Sequence, residues 1–371
     1  MSDVAWRELY ENDMRHEESP WRYGLAREWF EVDFSVDHPE SRIGRFCRKA
    51  LRRVVGFDLV HVLRNRGLIR SAQVVWAHTE REHLAVALLK LISRPPFPVI
   101  IAQSVWLYDE WSSYGRLRRA AYRKLLSQLA AETLHTDEGV ERARAIDASR
   151  VVVRLPFGSS YSASTERDDH GGHDTEQRGA RYVLSVGNDR HRDWATLVTA
   201  ARMLPATEFR VACDPAKFPR VGIPENVSVG RVKRMSELKA LYRGADAVVL
   251  PLAPNTHASG VTVAMEAVLE NVPLVTSDVG GLRAYLPDAG VAYFPVGDVD
   301  ALVRRLGELS SLPRALAPKG GEAFARERGL LAVDYVRRHV HLTRAVLAGR
   351  EPPPLVSAFA HVPAPEVGAP R

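Results

Sequence analysis

The chain has 371 residues, 46% of them hydrophobic and 26% charged, with a formal net charge of +6. That length predicts two domains, each with apolar material for its own core, while the longest apolar run, 84–92, is broken by Lys90 and falls short of the ~20 residues of a membrane-spanning helix. Cys47 and Cys213 stand in no CxxC or Cys/His spacing, which argues against a disulfide framework or zinc site, and the charged opening does not read as a signal peptide, so a cytoplasmic globular protein is expected.

Residues 1–161 alternate helical and strand patterns, as in a doubly wound parallel sheet. The opening carries Trp6, Tyr10, Trp21, Tyr23 and Gly24 on a charged, amphipathic background. Packing on the domain is the simpler reading of these aromatics, with a docking arm or acceptor contact as the alternative. Two basic helix faces follow, Arg42-x-x-Arg45-x-x-Arg48-Lys49-x-x-Arg52-Arg53 and Arg116-x-Arg118-Arg119-x-x-x-Arg123-Lys124; from 42 to 124 there are 17 Lys/Arg against 5 Asp/Glu. They read either as solvated faces or as a surface for anionic lipid headgroups at the inner membrane face. No nucleic-acid motif accompanies the charge, so nucleic acid is not an expected partner. The predicted strands are Leu59-Val-His-Val-Leu, Gln73-Val-Val-Trp-Ala, Pro98-Val-Ile-Ile-Ala and Arg150-Val-Val-Val-Arg-Leu, with helices over 82–92 and 117–129.

Residues 162–181 are polar, contain Gly171-Gly172 and predict a flexible linker, in which His170 and His173 read as solvated rather than metal-binding. A second domain over 182–349 opens with Tyr182-Val-Leu-Ser-Val-Gly187. Its strands continue through Glu208-Phe-Arg-Val-Ala, Val227-Ser-Val-Gly, Ala247-Val-Val-Leu, Leu274-Val-Thr and Val291-Ala-Tyr-Phe. Helices are expected over 194–204, 235–242 and 261–270 and from Asp298, whose carboxylate suits a helix start. Residues 350–371 are rich in proline and alanine and predict a disordered tail.

The most informative stretch is His257-Ala-Ser-Gly-Val-Thr-Val-Ala-Met-Glu266, which continues through Pro273 to Gly280-Gly281. Ser259 and Gly260 precede a helix whose first N–H groups favour a phosphate, and the following strand ends in a glycine turn, where open α/β sheets bind ligands. These residues resemble the donor-site signature of the group 1 (family 4) retaining glycosyltransferases. Arg190-His-Arg192-Asp-Trp, Asn226-Val-x-x-x-Gly230, Leu238-x-x-x-Tyr242 and Pro295-Val-Gly-Asp-Val-Asp resemble other pieces of that family in the same order.

The resemblance implies a GT-B fold, two Rossmann-like doubly wound parallel-sheet domains facing a central cleft, with the acceptor on the side of 1–161. It implies a metal-independent hexosyltransferase using a nucleotide-sugar of unidentified base as co-substrate, no other cofactor, and a glycan, lipid-linked or secondary-metabolite acceptor, as in polysaccharide biosynthesis. Arg192 takes the place of the family's diphosphate-binding lysine, with Arg190 beside it. Glu266 takes the place of the ribose-binding glutamate. Gly187, Ser259, Gly260, Val261 and Thr262 are expected around the phosphates, and Gly230, Arg231, Val232 and Leu238 around the base. His78 is expected to touch the transferred sugar or the incoming hydroxyl, with Glu80, Arg81, Gln103, Ser104, Trp106, Asp109 and Glu110 as further acceptor-side candidates. The chain departs from the family pattern where Ala258 stands in place of a sugar-contacting glutamate, Asn188 in place of an arginine, and Gln103 or Ser104 where the family often has a histidine. The shared fold keeps a sugar-nucleotide 2-epimerase open, and Ala258, Asn188 and the missing first-strand glycine loop keep open a non-catalytic nucleotide- or glycan-binding subunit.

Overall fold

In a computed structural model of the chain, the described residues are 3–161, 182–287, 291–311 and 320–366. The expected linker, with His170 and His173, lies outside them. The chain forms two compact units: Met1–Arg7, Glu18–Phe157 and Ala332–Arg371 make one, and Glu8–Glu17 and Gly158–Leu331 the other. The last helix, Ala332–Leu347, therefore belongs to the first unit and not, as expected, to the second.

After the opening helix α1 (Asp3–Glu11), the first unit contains α2 (Arg42–Val55), α3 (Leu59–Arg64), α4 (Arg66–Ser71), β1 (Val74–Ala77), α5 (Glu80–Ile92), β2 (Val99–Gln103), α6 (Arg116–Leu126), β3 (Ala131–Leu134), α7 (Asp137–Ile146) and β4 (Val152–Arg154). The strands form one parallel sheet in the order β1-β2-β3-β4, with Val74 opposite Val99 and Ala102 opposite Glu132. Alternation along β2 sorts its side chains between two cores: Ile100 and Ala102 pack with Leu84, Val86 and Leu126, whereas Ile101 packs with Tyr23, Tyr335 and Val340. Helices therefore cover both faces.

The run Leu59-Val-His-Val-Leu, expected as a strand, is helix α3. Asp58 accepts a hydrogen bond from the His61 N–H at 3.2 Å and caps that helix, a local bond that an apolar run alone does not announce. Residues 350–366, expected in a disordered tail, pack on the first unit. Val356 and Val362 are buried, Arg338 donates to the carbonyls of Ala358 and Ala360, and Trp29 Nε1 donates to that of Pro365 at 2.9 Å. A proline-rich segment has no ladder of its own, but its carbonyls serve donors from neighbouring elements.

The second unit continues with β5 (Tyr182–Val186), α8 (Trp194–Met203), β6 (Glu208–Ala212), β7 (Val227–Gly230), α9 (Met235–Gly244), β8 (Ala247–Leu250), α10 (Val261–Leu269), β9 (Leu274–Ser277), α11 (Leu282–Tyr285), β10 (Val291–Phe294), α12 (Val299–Ser311) and α13 (Gly321–Glu327). Its six parallel strands run β10-β9-β8-β5-β6-β7. The order reverses between β5 and β8, and in open parallel sheets a crevice forms outside the strand ends at such a reversal. Leu197, Phe209, Val249, Val275, Phe294 and Leu302 fill the core around the sheet.

Candidate nucleotide-binding site

The segments leaving β5 and β8 bring the predicted donor-site residues together. Gly187 follows β5 at φ +135°, a conformation that side chains rarely adopt, and a Cβ there would lie 2.4 Å from the Arg192 guanidinium. Arg192 folds back over this glycine: Nε donates to the Val186 carbonyl at 3.0 Å and Nη1 to Ser259 Oγ at 3.2 Å. Gly260, at φ +82°, starts α10 without a side-chain cap, and a Cβ there would meet Leu250 at 2.6 Å and Arg192 Nη1 at 3.3 Å. A buried guanidinium and the first amides of a helix thus converge at the sheet's reversal point, an arrangement suited to an anion.

Glu266 lies further along α10, 4% exposed. Tyr242 Oη donates to its Oε2 at 2.6 Å, and His16 Nε2 stands 3.8 Å from its Oε1. Burial pushes the Glu266 carboxyl up to about 7, against the opposing pull of the Tyr242 hydrogen bond and the Arg192 charge. Burial also pushes the Arg192 guanidinium down, with Asp189, Tyr242 and Glu266 acting the other way.

Sequence reasoning missed Asp189. Its Oδ1 accepts from the His191 N–H at 2.8 Å, pairs with His191 Nδ1 at 3.1 Å and accepts from Ser259 Oγ at 2.9 Å; His257 Nε2 lies 4.0 Å from its Oδ2. Burial would raise this carboxyl, but the bonds from His191 and Ser259 and the nearby His257 outweigh it and hold the group far below the usual carboxylate range. Asp189 thus places a carboxylate beside His257 and Ser259, the two neighbours of Ala258. Its position just beyond the first strand of the unit was the available signal.

Residues 181–311 match the family model described as glycosyl transferases group 1. The matched stretch lies within the second unit. No curated protein matches the chain. Among solved structures, sucrose-phosphate synthase from Thermosynechococcus elongatus aligns with a TM-score of 0.64 at 16% identity, covering 81% of this chain and 80% of that one. Trehalose 6-phosphate synthase from Burkholderia multivorans aligns at 0.59 and 14% identity over 84% and 77% of the two chains. HepE from Anabaena, in complex with UDP and glucose, aligns at 0.60 and 11% identity over 77% and 81%. At these identities the likeness establishes the fold, GT-B with two Rossmann-like units.

The remaining predicted ligands in the second unit spread along the same sheet edge. Val261 is buried in the first turn of α10, whereas Thr262 is exposed. Arg190 is exposed in the β5–α8 loop, and Asn188, in place of the family arginine, accepts from the Asp214 N–H at 2.6 Å. Gly230 ends β7 and is exposed; Arg231 beyond it pairs with Asp214 at 2.7 Å; Val232 is half-buried and Leu238 buried on α9. Residues 8–17, the opening arm, also belong to this unit. Asp13 Oδ2 accepts from the Ser236 N–H at 3.0 Å, serving the first turn of α9, whose own Arg234 makes no cap bond. His16 stacks edge-on against Tyr161 with ring centroids 4.8 Å apart.

In the first unit, His78 follows β1 and is partly buried. Its ring stacks on Trp21 with centroids 3.9 Å apart, and its Nδ1 bonds to Tyr23 Oη at 3.0 Å. Burial, then His135 and His339, push its imidazole well below the usual histidine range, so it is neutral near pH 7. Trp21 and Arg22, at φ +54° and +53°, hold strained left-handed backbone over this stack. Several other acceptor-side candidates have structural duties. Glu80 accepts from the N–H groups of Val105 and Trp106 at 3.1 and 3.3 Å, Ser104 donates to buried Glu132 at 2.5 Å, and Gln103 joins His135 and Tyr335. Arg81 lies over Trp106, 5.7 Å from its ring centroid, and Glu110 accepts from Tyr114 Oη at 2.6 Å. Among the described residues, no helix is long and apolar enough to cross a membrane.

Proposed function

We propose that this chain is a retaining, metal-independent hexosyltransferase that moves a sugar from a nucleotide-sugar donor to a glycan, lipid-linked or secondary-metabolite acceptor on the cytoplasmic side. The observation that carries this reading is the Arg192 guanidinium fixed between Gly187 and the uncapped start of α10, with Glu266 on the same helix. Arg192, Arg190, Ser259 and the amides of Val261 and Thr262 hold the diphosphate. Glu266 accepts from the ribose hydroxyls. Gly230, Arg231, Val232 and Leu238 border the base, consistent with their place at the carboxyl end of β7 and on α9. HepE is solved with UDP and glucose, which supports a nucleotide and a sugar as the ligand pair.

Ala258 removes a carboxylate from the sugar side, and Asp189, held against the residues on either side of position 258, supplies one from another loop. In the transfer step the bond from the anomeric carbon to the diphosphate oxygen breaks while a bond to the acceptor oxygen forms on the same face. The acceptor proton passes to the departing diphosphate. No protein nucleophile is required; the contribution of Arg192 and α10 is to stabilise the charge that develops on the leaving group. His78, with Nδ1 engaged by Tyr23, offers Nε2 to a sugar or acceptor hydroxyl.

Proton NMR of candidate donors incubated with the protein tests this. The first free sugar released by slow donor hydrolysis should have the donor's anomeric configuration. Release of the opposite anomer would overturn the retaining assignment. A C2 epimer would identify the epimerase, and a bound but unchanged donor a non-catalytic subunit.

A further inference from the structure

Helix α2 has 14 residues and none of them is buried. Six are Lys or Arg and none is acidic. At about 100° per residue, Ile43, Phe46, Cys47, Ala50 and Val54 fall on one stripe. In a globular protein such a stripe faces the core, but here it faces solvent: Ile43 is 76% exposed, Phe46 73% and Val54 71%. The opposite face ties the helix down, with Arg48 paired to Glu40 and Asp58 at 2.9 and 2.6 Å and Val55 packed against the core. Arg42, Lys49 and Arg53 flank the stripe, and none of the three forms an ion pair with an acidic group among the described residues.

Helix α6 extends the surface. Arg118 donates to the Val54 carbonyl at 2.7 Å, which brings the basic first turn of α6 beside the end of α2, with Leu117 89% exposed.

We infer that α2 is a membrane-docking helix: it lies flat on an anionic lipid surface, its Ile43–Phe46–Val54 stripe inserted among the acyl chains and its flanking cations on the headgroup phosphates. The charge argues for lipid over a neutral protein groove, because an acid-free helix flanked by unpaired cations meets its complement in a sheet of phosphates. The exposed isoleucine and phenylalanine argue for lipid over nucleic acid, whose backbone offers them no apolar phase. This inference rests on α2 and α6 alone and stands whether or not the other unit holds a nucleotide-sugar.

Cys47 lies on the stripe and is exposed, whereas Cys213 is buried, so a thiol-reactive, polarity-sensitive fluorophore reports from α2 in the full chain. The label should shift to the blue on vesicles of phosphatidylcholine with one third phosphatidylglycerol and be quenched by a lipid-phase quencher, and barely respond to pure phosphatidylcholine. Unlabelled protein should cosediment with the same anionic vesicles. Double substitution of Ile43→Asp and Phe46→Asp, at positions already exposed, should reduce cosedimentation by about tenfold or more with the circular dichroism spectrum unchanged. Substituting Arg42→Glu and Lys49→Glu should do the same and remove the salt dependence. Three results would each overturn the inference: no binding to anionic vesicles; binding that survives the aspartate pair, which would mean headgroup adsorption without insertion; or a concentration-dependent dimer abolished by that pair in a protein that ignores vesicles. Donor affinity, measured in parallel without lipid, should be the same in wild type and both variants, so a missing donor site and a missing membrane surface give different results.

Discussion

Glu266 is an acid kept in an apolar helix, and its titration is the most direct residue-scale signature of the site. Burial raises its folded-state carboxyl from the ordinary 4.5 to about 7. Between those values the folded protein holds a proton that the unfolded chain has lost, so this group's contribution to stability is present below the window and declines as pH rises through it. Glu266→Gln should flatten that decline, measured as the pH dependence of the urea midpoint; an identical pH profile in wild type and variant would mean that the carboxyl is not perturbed. Gly187 is the complementary case. Gly187→Ala combines a φ of +135° with a Cβ 2.4 Å from the Arg192 guanidinium, and should cost about 1–3 kcal/mol of stability together with most nucleotide affinity. A thermal melt with and without nucleotide reads both effects. Arg192, Ser259 and Glu266 were marked in the sequence by resemblance to a family motif, and the structure brings Arg192 against Ser259 at the start of the helix that carries Glu266. Asp189 and His16 were not marked, and Tyr242 was marked only as part of a base-side motif. Their roles come from pairings with Ser259, 70 positions away, and with Glu266, 24 positions from Tyr242 and farther still from His16.

Elements were legible where a single period dominated. The strands of the second unit alternate with amphipathic helices, and each predicted strand there is present. Strand β3, Ala131–Leu134, escaped notice because Glu132 and Thr133 break its apolar run; both are buried, and Glu132 is satisfied by Tyr108, Ser104 and Arg150. Helix α3 was misread because a five-residue apolar run suits either state until its cap is known. Helix α9 shows the same dependence on distant residues, since its first turn is served by Asp13 from the opening arm. The Ser236 hydroxyl and backbone hold the Asp13 carboxyl below its ordinary range, so its contribution is present above the unfolded value and is lost as pH falls. Asp13→Ala should cost about 1 kcal/mol, the usual value of a lost helix cap, read as a lower urea midpoint. No change would show that water serves α9 equally well. Gly321 packs so closely on α10 that a Cβ would lie 1.8 Å from the Val268 carbonyl oxygen. Gly321→Ala should therefore displace α13, destabilising the protein by more than Asp13→Ala in the same denaturation assay.

At the scale of the molecule, composition and strand order gave two doubly wound units, but not the path of the chain between them. The last helix, Ala332–Leu347, and the segment after it belong to the first unit because Tyr335, Val336 and Val340 complete a core begun by Tyr23, Ile101 and Val153. Residues Glu8–Glu17 belong to the second unit through contacts such as Asp13 with Ser236. Neither assignment has a local signal, since the first is set by which partner buries an apolar face and the second by hydrogen-bond partners 223 positions apart. In the second unit the Arg192 guanidinium meets Ser259 at the start of α10, and Glu266 lies further along the same helix, the geometry on which the proposed donor site rests. The measurement that tests this most directly is calorimetric titration of the full chain with UDP-, GDP-, ADP- and TDP-sugars, repeated with Glu266→Ala. One donor should bind with a stoichiometry of one, and the variant should bind it about 10- to 100-fold more weakly, the effect of losing hydrogen bonds to a buried charged group. Binding by none of the donors, or equal affinity in the variant, would contradict the account.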